Sequence, residues 1–133
     1  HEGYAQKLPF EDGLFDFLSI SYGFRNVTEK EEAVREFARV LKSGGRLLIL
    51  EFAKNESKNP LRKAAQWYVK KVLPWLGGII SGNLSAYRYL PNSIEGFLTR
   101  DEIVTMLERN GFECEVAKDF SFGVSSLLIA KKK

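Results

Sequence analysis

The stretch Arg39–Glu51, RVLKSGGRLLILE, limits the possible folds of this chain more than any other. It closes one periodic pattern and opens another with no room for a long loop. Upstream, Ala33, Val34, Phe37, Ala38 and Leu41 recur at the spacing of one helix face. Downstream, RLLILEF (46–52) is rich in Leu and Ile over strand length and meets an acid near its end. An earlier run, FDFLSISY (15–22), is apolar and β-favouring, as a buried parallel strand should be. Strand, helix and strand with short joins predict a βαβ unit, hence a parallel sheet with a right-handed crossover.

The Gly44-Gly45 pair inside that stretch raises the functional question. A phosphate cradle aims backbone N–H groups at an anion from a strand-to-helix turn. Here the order is reversed, and the pair follows the negative end of a helix dipole. It therefore reads as a bend after Lys42, with Gly44 or Gly45 in the left-handed conformation that closes helices. Thr28 with Glu31 predicts a capping box for the helix before it.

Beyond the second strand, Asn59-Pro60 predicts a helix start, Asn59 as N-cap and Pro60 in the first turn. That helical region runs toward Gly77-Gly78, and Pro74 should kink or split it. Thr99 with Glu102 predicts a second capping box, opening a helix through Ile103, Met106 and Leu107 to a stop at Gly111. Residues 112–119 and 123–131 then read as strands joined around Ser121–Gly123, an antiparallel hairpin.

Several function classes are disfavoured by composition. The 20 basic and 17 acidic side chains leave a net charge of +3, and Lys131–Lys133 account for three of the positives. A nearly neutral body gives no charge signal for nucleic acid. Cys114 is the single cysteine and lies in an apolar stretch, so it reads as a small hydrophobe rather than a nucleophile. No Cys/His cluster suits a metal, and His1 is the only histidine for a Ser-His or Cys-His pair. No apolar run approaches the ~20 residues of a membrane span. With 133 residues and no signal-like start, the chain is expected to be one domain cut from a longer cytoplasmic protein.

The residues around the bend also carry a resemblance. FD followed by apolar residues, then RVLKSGGRLLILE, resembles the second half of the class I S-adenosylmethionine (SAM) methyltransferase fold. The longer string YAQKLPFEDGLFDFLSISYGFRNVTEKEEAVREFARVLKSGGRLLILEF (4–52) and SAYRYLPNSI (85–94) resemble the ubiquinone/menaquinone biosynthesis C-methyltransferase family. The likeness covers nearly the whole chain, and SYGFRNV (21–27) is its most specific part.

The resemblance implies an α/β fold, the C-terminal half of a doubly wound, Rossmann-like class I methyltransferase sheet. Of the family order 3-2-1-4-5-7-6 the chain should hold 4-5-7-6, with flanking helices and an inserted helical cap. Residues 1–133 then form one partial domain: a βαβ unit with part of the SAM site (1–55), a cap and acceptor region (56–98), and a helix with hairpin (99–133). The implied activity is methyl transfer from SAM to a ring carbon of a polyprenyl quinol precursor. Tyr4 and Ala5 match the loop after the third strand that contacts adenine, and Ser21 matches the end of the fourth strand beside the cofactor. Tyr4 stands where relatives usually have Asp or Asn, Ser43 where they have Pro, and Ala53 where Ser is frequent.

The chain lacks a GxGxG loop and the acid that ends the second strand of such enzymes. One wall of the ligand crevice would then be missing, and the fragment inactive alone. Strand 15–22 would expose an apolar edge for a homo-oligomeric partner or for the missing N-terminal half.

Attack of a ring carbon on a methyl group needs an electron-rich ring and in-line positioning. Arg25 and Asn26, matching the family motif just past the fourth strand, are the candidate catalytic pair. A guanidinium stays protonated, so Arg25 is assigned to stabilising a developing phenolate rather than acting as a base. The competing reading pairs Arg25 with a helix acid such as Glu31. Tyr87, Arg88 and Tyr89 are candidates to line the acceptor pocket, against plain packing in a cap helix. The segment 62–80 mixes Trp67, Tyr68 and Trp75 with Lys63, Lys70 and Lys71. It suits a peripheral contact with anionic lipid, a lid over a greasy substrate, or a packed helix pair. Two further alternatives stand: a class I methyltransferase for another small molecule or lipid, and a truncated binding or assembly module without catalysis.

Overall fold

The computed structural model describes residues 3–52, 54, 59–72 and 93–133. Two parallel strands, β1 (Phe15–Ser21) and β2 (Leu41–Phe52), are joined through α1 (Lys30–Val40). After α2 (Pro60–Trp67) and α3 (Arg100–Arg109), the chain forms the antiparallel hairpin β3 (Phe112–Phe120) and β4 (Ser125–Lys132). Strand β4 inserts antiparallel beside β2, giving the sheet order β1-β2-β4-β3. This is the 4-5-7-6 half-sheet with the strands in their expected places.

The period-3.6 face of α1 is buried at Ala33, Val34, Phe37 and Val40, and α3 buries Ile103 and Leu107. Both helices pack on one sheet face with Leu47, Ile49, Leu128 and Ala130. Strand β1 pairs only with β2 among the described residues and lies at the sheet edge. None of its residues is fully buried, and Phe17 is 53% exposed. The apolar composition of 15–22 therefore marks a strand whose outer side is uncovered here.

The bend differs in place from the sequence expectation. Helix α1 ends at Val40, ahead of Lys42, and β2 starts at once with buried Leu41 opposite Phe15. The next pair in register is Phe17 with Arg46, so residues 42–45 bulge from the strand. Gly44 takes φ +79° within that bulge, and a Cβ on Gly45 would sit 2.9 Å from the Lys42 carbonyl and 3.2 Å from that of Asp16. One glycine supplies the left-handed turn and the other the close approach of two backbones. Asp16 pairs with Lys42 at 2.9 Å on the exposed side of this bulge.

The caps divide. Asn59 accepts from the Leu61 amide with Pro60 in the first turn, and Thr99 with Glu102 forms the full capping box. The box expected at Thr28 and Glu31 does not form, because α1 begins at Lys30 with Glu29 as N-cap. That start puts Glu31 at the second helical position, where its side chain cannot reach back as a third-position acid does. Gly111 ends α3 at φ +86°. The hairpin tip places Ser121 (φ 50°) and Phe122 (φ 57°) in the left-handed region, each costing about 1 kcal/mol for a non-glycine residue. Pro74 lies outside the described residues. Cys114 is half-buried rather than buried, and burial pushes its thiol above the ordinary value.

Among the described residues, four carboxyls titrate below their ordinary values. Arg39 holds Glu36 down, the Thr99 amide and hydroxyl hold Glu102, and Arg46 holds Glu115. Burial opposes ionisation of Asp119, but hydrogen bonds from Ser126 and Arg62 and the charge of Arg100 outweigh it. Depressed carboxyls contribute stability that is complete above their unfolded values, 4.5 for Glu and 3.8 for Asp, and lost as pH falls through the folded ones. The urea midpoint should be flat above about pH 5.5 and fall steadily below about pH 4.5. A midpoint that rises on acidification would contradict these pairings.

Candidate functional site

Strand β2 buries alternate side chains, and Leu47, Ile49 and Glu51 form one inward row, each 0% exposed. A carboxylate thus stands where a third aliphatic residue would continue the core. Such a group needs hydrogen-bond donors around it. Glu51 receives N–H groups from Phe52 at 2.9 Å, the Arg25 amide at 3.1 Å, and Arg25 Nη1 at 2.7 Å.

Arg25 is brought to Glu51 by the way β1 ends. The Tyr22 amide makes a last bond to the Leu50 carbonyl at 2.8 Å, and Tyr22 then turns left-handed at φ 53°. A 3-10 turn, Phe24–Asn26, follows. Phe24 anchors it, fully buried beside the rings of Phe37 and Phe97 at 6.4 and 6.1 Å. The Arg25 guanidinium lies over the Phe52 ring, 5.5 Å from its centre, and Tyr22 packs on the same ring at 4.8 Å. Nη1 also donates to the Tyr22 carbonyl at 2.6 Å, and Nε to Ser93 Oγ at 3.3 Å.

The Arg25 side chain is 10% exposed and that of Glu51 1%, a buried ion pair. Nε and Nη1 are engaged by these contacts, while Nη2 donates to no acceptor among the described residues. No buried side-chain nitrogen or oxygen among them lacks a partner, so Nη2 reaches solvent. The result is a fixed cation with one open donor edge at the carboxyl end of a parallel strand pair. Ligands of open α/β sheets bind at this end.

Other sequence candidates sit around β1. Asn26, exposed, shares the turn with Arg25, and Ser21, also exposed, ends β1 opposite Leu50. Ala5 is half-buried on a cavity of about 480 Å³ along β1, shared with Phe15, Phe17, Leu18, Ile20 and Phe37. Tyr4 is 81% exposed in a tight turn closed by the Lys7 amide on its carbonyl at 2.9 Å. The structure thus gathers Arg25, Asn26 and Ser21 at one end of β1 and sets Ala5 on the cavity along it. Tyr87, Arg88 and Tyr89 lie outside the described residues.

The alternative partner for Arg25 is not the one used. Glu31 accepts from Asn110 Nδ2 at 3.5 Å, and Arg25 pairs with Glu51 instead. Glu51 is the site residue that sequence reasoning missed. The signal that marks it is an acid in phase with Leu47 and Ile49 on a period-2 strand.

A family model described as the ubiE/COQ5 methyltransferase family matches residues 2–132. The chain is 55% identical over 131 residues to a Campylobacter jejuni "Ubiquinone/menaquinone biosynthesis C-methyltransferase UbiE", covering 98% of this chain and 56% of the relative. It is 42% identical over 127 residues to a Thermotoga maritima "Demethylmenaquinone methyltransferase", covering 96% of this chain and 55% of the relative. The chain therefore spans about half the length of the curated relatives it matches. Among solved structures it is similar to a SAM-dependent methyltransferase from Aquifex aeolicus, with TM-score 0.60 and 16% identity, covering 98% of this chain and 52% of that one. It is also similar to the [4+2]-cyclase SpnF, with TM-score 0.65 and 17% identity, covering 96% and 53%. At these identities the solved structures show the fold alone.

Proposed function

Since the chain belongs to the ubiE/COQ5 methyltransferase family, we propose that the complete protein methylates a ring carbon of a polyprenyl quinol precursor, using SAM. One observation carries the chemistry: Arg25 is locked at the carboxyl end of β1 and β2 with Nη2 open. A ring carbon becomes a strong nucleophile when the neighbouring hydroxyl gives up its proton to water. Nη2 is the donor that stabilises the resulting phenolate, in surroundings dry enough to strengthen the interaction. Once that carbon is methylated, its hydrogen leaves as a proton to water, the ring becomes aromatic again and the oxygen is reprotonated. Asn26, on the same turn, orients the ring.

The residues present fit one side of SAM. The cavity beside β1 is apolar apart from Ser19, which suits the flat face of a purine, with Ala5 on its wall. Tyr4 and Ser21, next in sequence to Ala5 and Ile20 of that wall, add exposed hydroxyls. When bound, SAM supplies the electrophilic methyl group. The rest of its surface is expected to meet the part of the complete protein that these 133 residues do not include. The free edge of β1 is the natural place for a further strand, of the same chain or of a second copy.

The test is a product assay on the complete enzyme with SAM and competing acceptors, read by mass spectrometry. Methylated demethylmenaquinol or a ubiquinone precursor is expected. Methylation of a sterol or lipid instead would move the substrate, and no methylation of any acceptor would favour an assembly role.

A second feature favours contact with a lipid surface. Helix α2 and the turn that continues it to Val72 expose Leu61, Trp67 and Tyr68, with exposed Lys63 between them and exposed Lys71 just beyond. Aromatic and basic residues together suit the interface of an anionic membrane, where a polyprenyl acceptor resides, so a cytoplasmic protein would work peripherally there. The complete protein should float with vesicles containing anionic lipid, and Trp67→Ala should reduce the bound fraction severalfold. Equal flotation with neutral and anionic vesicles, unchanged by the substitution, would sink this reading.

A further inference from the structure

We propose that Glu51 is the positioning residue of this chemistry, its buried carboxylate fixing which nitrogen of Arg25 faces the acceptor. The proposal rests on the reading of Arg25 given above.

The carboxylate grips Arg25 at both ends. One oxygen accepts from the Arg25 main-chain amide at 3.1 Å, and the other from Nη1 of the same residue at 2.7 Å. An arginine side chain has enough rotatable bonds to scatter its head group widely. Bonding head and backbone to one buried anion removes that freedom. Phe52 completes the clamp, since its amide holds Glu51 at 2.9 Å and its ring lies under the guanidinium. With Nε on Ser93 and Nη1 on Tyr22 and Glu51, the orientation that leaves Nη2 outward is the one that satisfies every other contact.

Stability alone does not account for an acid at this position. Leu47 and Ile49 precede Glu51 in the same inward row, and an aliphatic residue would continue it. Buried ion pairs are often matched or exceeded in stability by well-packed apolar replacements. A carboxylate here is explained by what it does to Arg25.

The experiment compares four forms of the complete enzyme: unmodified, Arg25→Ala, Glu51→Gln, and the double variant. Glu51→Gln keeps the shape and loses the charge. It should lower kcat by about 100-fold while the KM for the quinol moves by less than about threefold. The double variant should be no slower than Arg25→Ala alone, because Glu51 acts only through Arg25. Losses that multiply would overturn the proposal by giving Glu51 an independent role. A slow Arg25→Ala beside a Glu51→Gln within about twofold of normal would overturn it while leaving the Arg25 reading intact. Normal turnover by Arg25→Ala would instead remove the Arg25 reading and this proposal with it.

If Glu51→Gln shows no cooperative melting transition, Glu51→Asp decides. It retains the charge but stands one methylene short, so a folded enzyme with kcat reduced about tenfold or more supports the clamp. Turnover within about twofold of normal, or failure of this variant to fold as well, would show that Glu51 serves the fold rather than the reaction.

Discussion

Arg25→Ala in the complete enzyme is expected to lower turnover by about 100–1,000-fold, with SAM affinity within about twofold. In the reading proposed above, the guanidinium is the part of Arg25 that meets the quinol, and its surroundings would magnify that interaction. It is nine-tenths buried, lies over an aromatic face, and is held by four hydrogen bonds from its side chain and main chain to Tyr22, Ser93 and Glu51. Held so, the cation would not need to reorganise if charge developed on a ring oxygen beside it. Arg25→Lys should recover only part of the loss, since an ammonium cannot satisfy Tyr22, Ser93 and Glu51 and still present a spare donor edge. Calorimetry on the same variants separates cofactor binding from chemistry. Turnover within about threefold of normal for Arg25→Ala would remove the assignment.

The largest stability loss is expected from Phe24→Ala, about 3–5 kcal/mol by urea denaturation. Phe24 is 0% exposed and meets Phe37 of α1 and, edge-on, Phe97 ahead of α3, so truncation leaves a cavity between three segments. It also precedes Arg25 directly. Turnover of the surviving folded fraction should therefore fall as well, which an ordinary core truncation elsewhere would not do. Ile103→Val, on α3 and without a ring contact to Phe24, is the control. It should cost about 0.5–1.5 kcal/mol and leave turnover of folded enzyme unchanged. A Phe24→Ala loss under about 1 kcal/mol would mean that the turn is not anchored as described.

Much of this arrangement is legible in the sequence. The two parallel strands, the helix between them and the closing hairpin follow from hydrophobic period and from caps at Asn59 and Thr99. These signals are local, and local signals survive tertiary packing. The features that depart from expectation are also local in sequence but are decided elsewhere. Helix α1 starts past Thr28 because the Phe24–Asn26 turn and its buried ring set where the chain enters the helix. The Gly pair is a bend, as its place after a helix predicts, yet β2 runs through it because Leu41 is pulled into register with Phe15.

The site is legible by halves. Arg25, Asn26 and Ser21 stand in one short motif, so sequence proximity ensures that they share one end of β1. Glu51 is 26 residues from Arg25 and joins it only through the parallel pairing of β1 and β2. Its alternation with Leu47 and Ile49 marks it as inward, but an inward acid does not name its partner. The exposure of β1 follows from its place at the sheet edge, which the resemblance to a half-sheet implies and its apolar composition fits.

The most direct test of the central claim offers the complete enzyme two acceptors, the reduced quinol and its O-methylated ether, with SAM in excess. The ether keeps the ring carbon but has no hydroxyl beside it to ionise. If Arg25 works by stabilising a phenolate, the quinol is methylated on carbon and the ether is slower by about 100-fold or more, a gap that Arg25→Ala narrows. Equal turnover of quinol and ether, or a gap that Arg25→Ala leaves unchanged, would contradict the account.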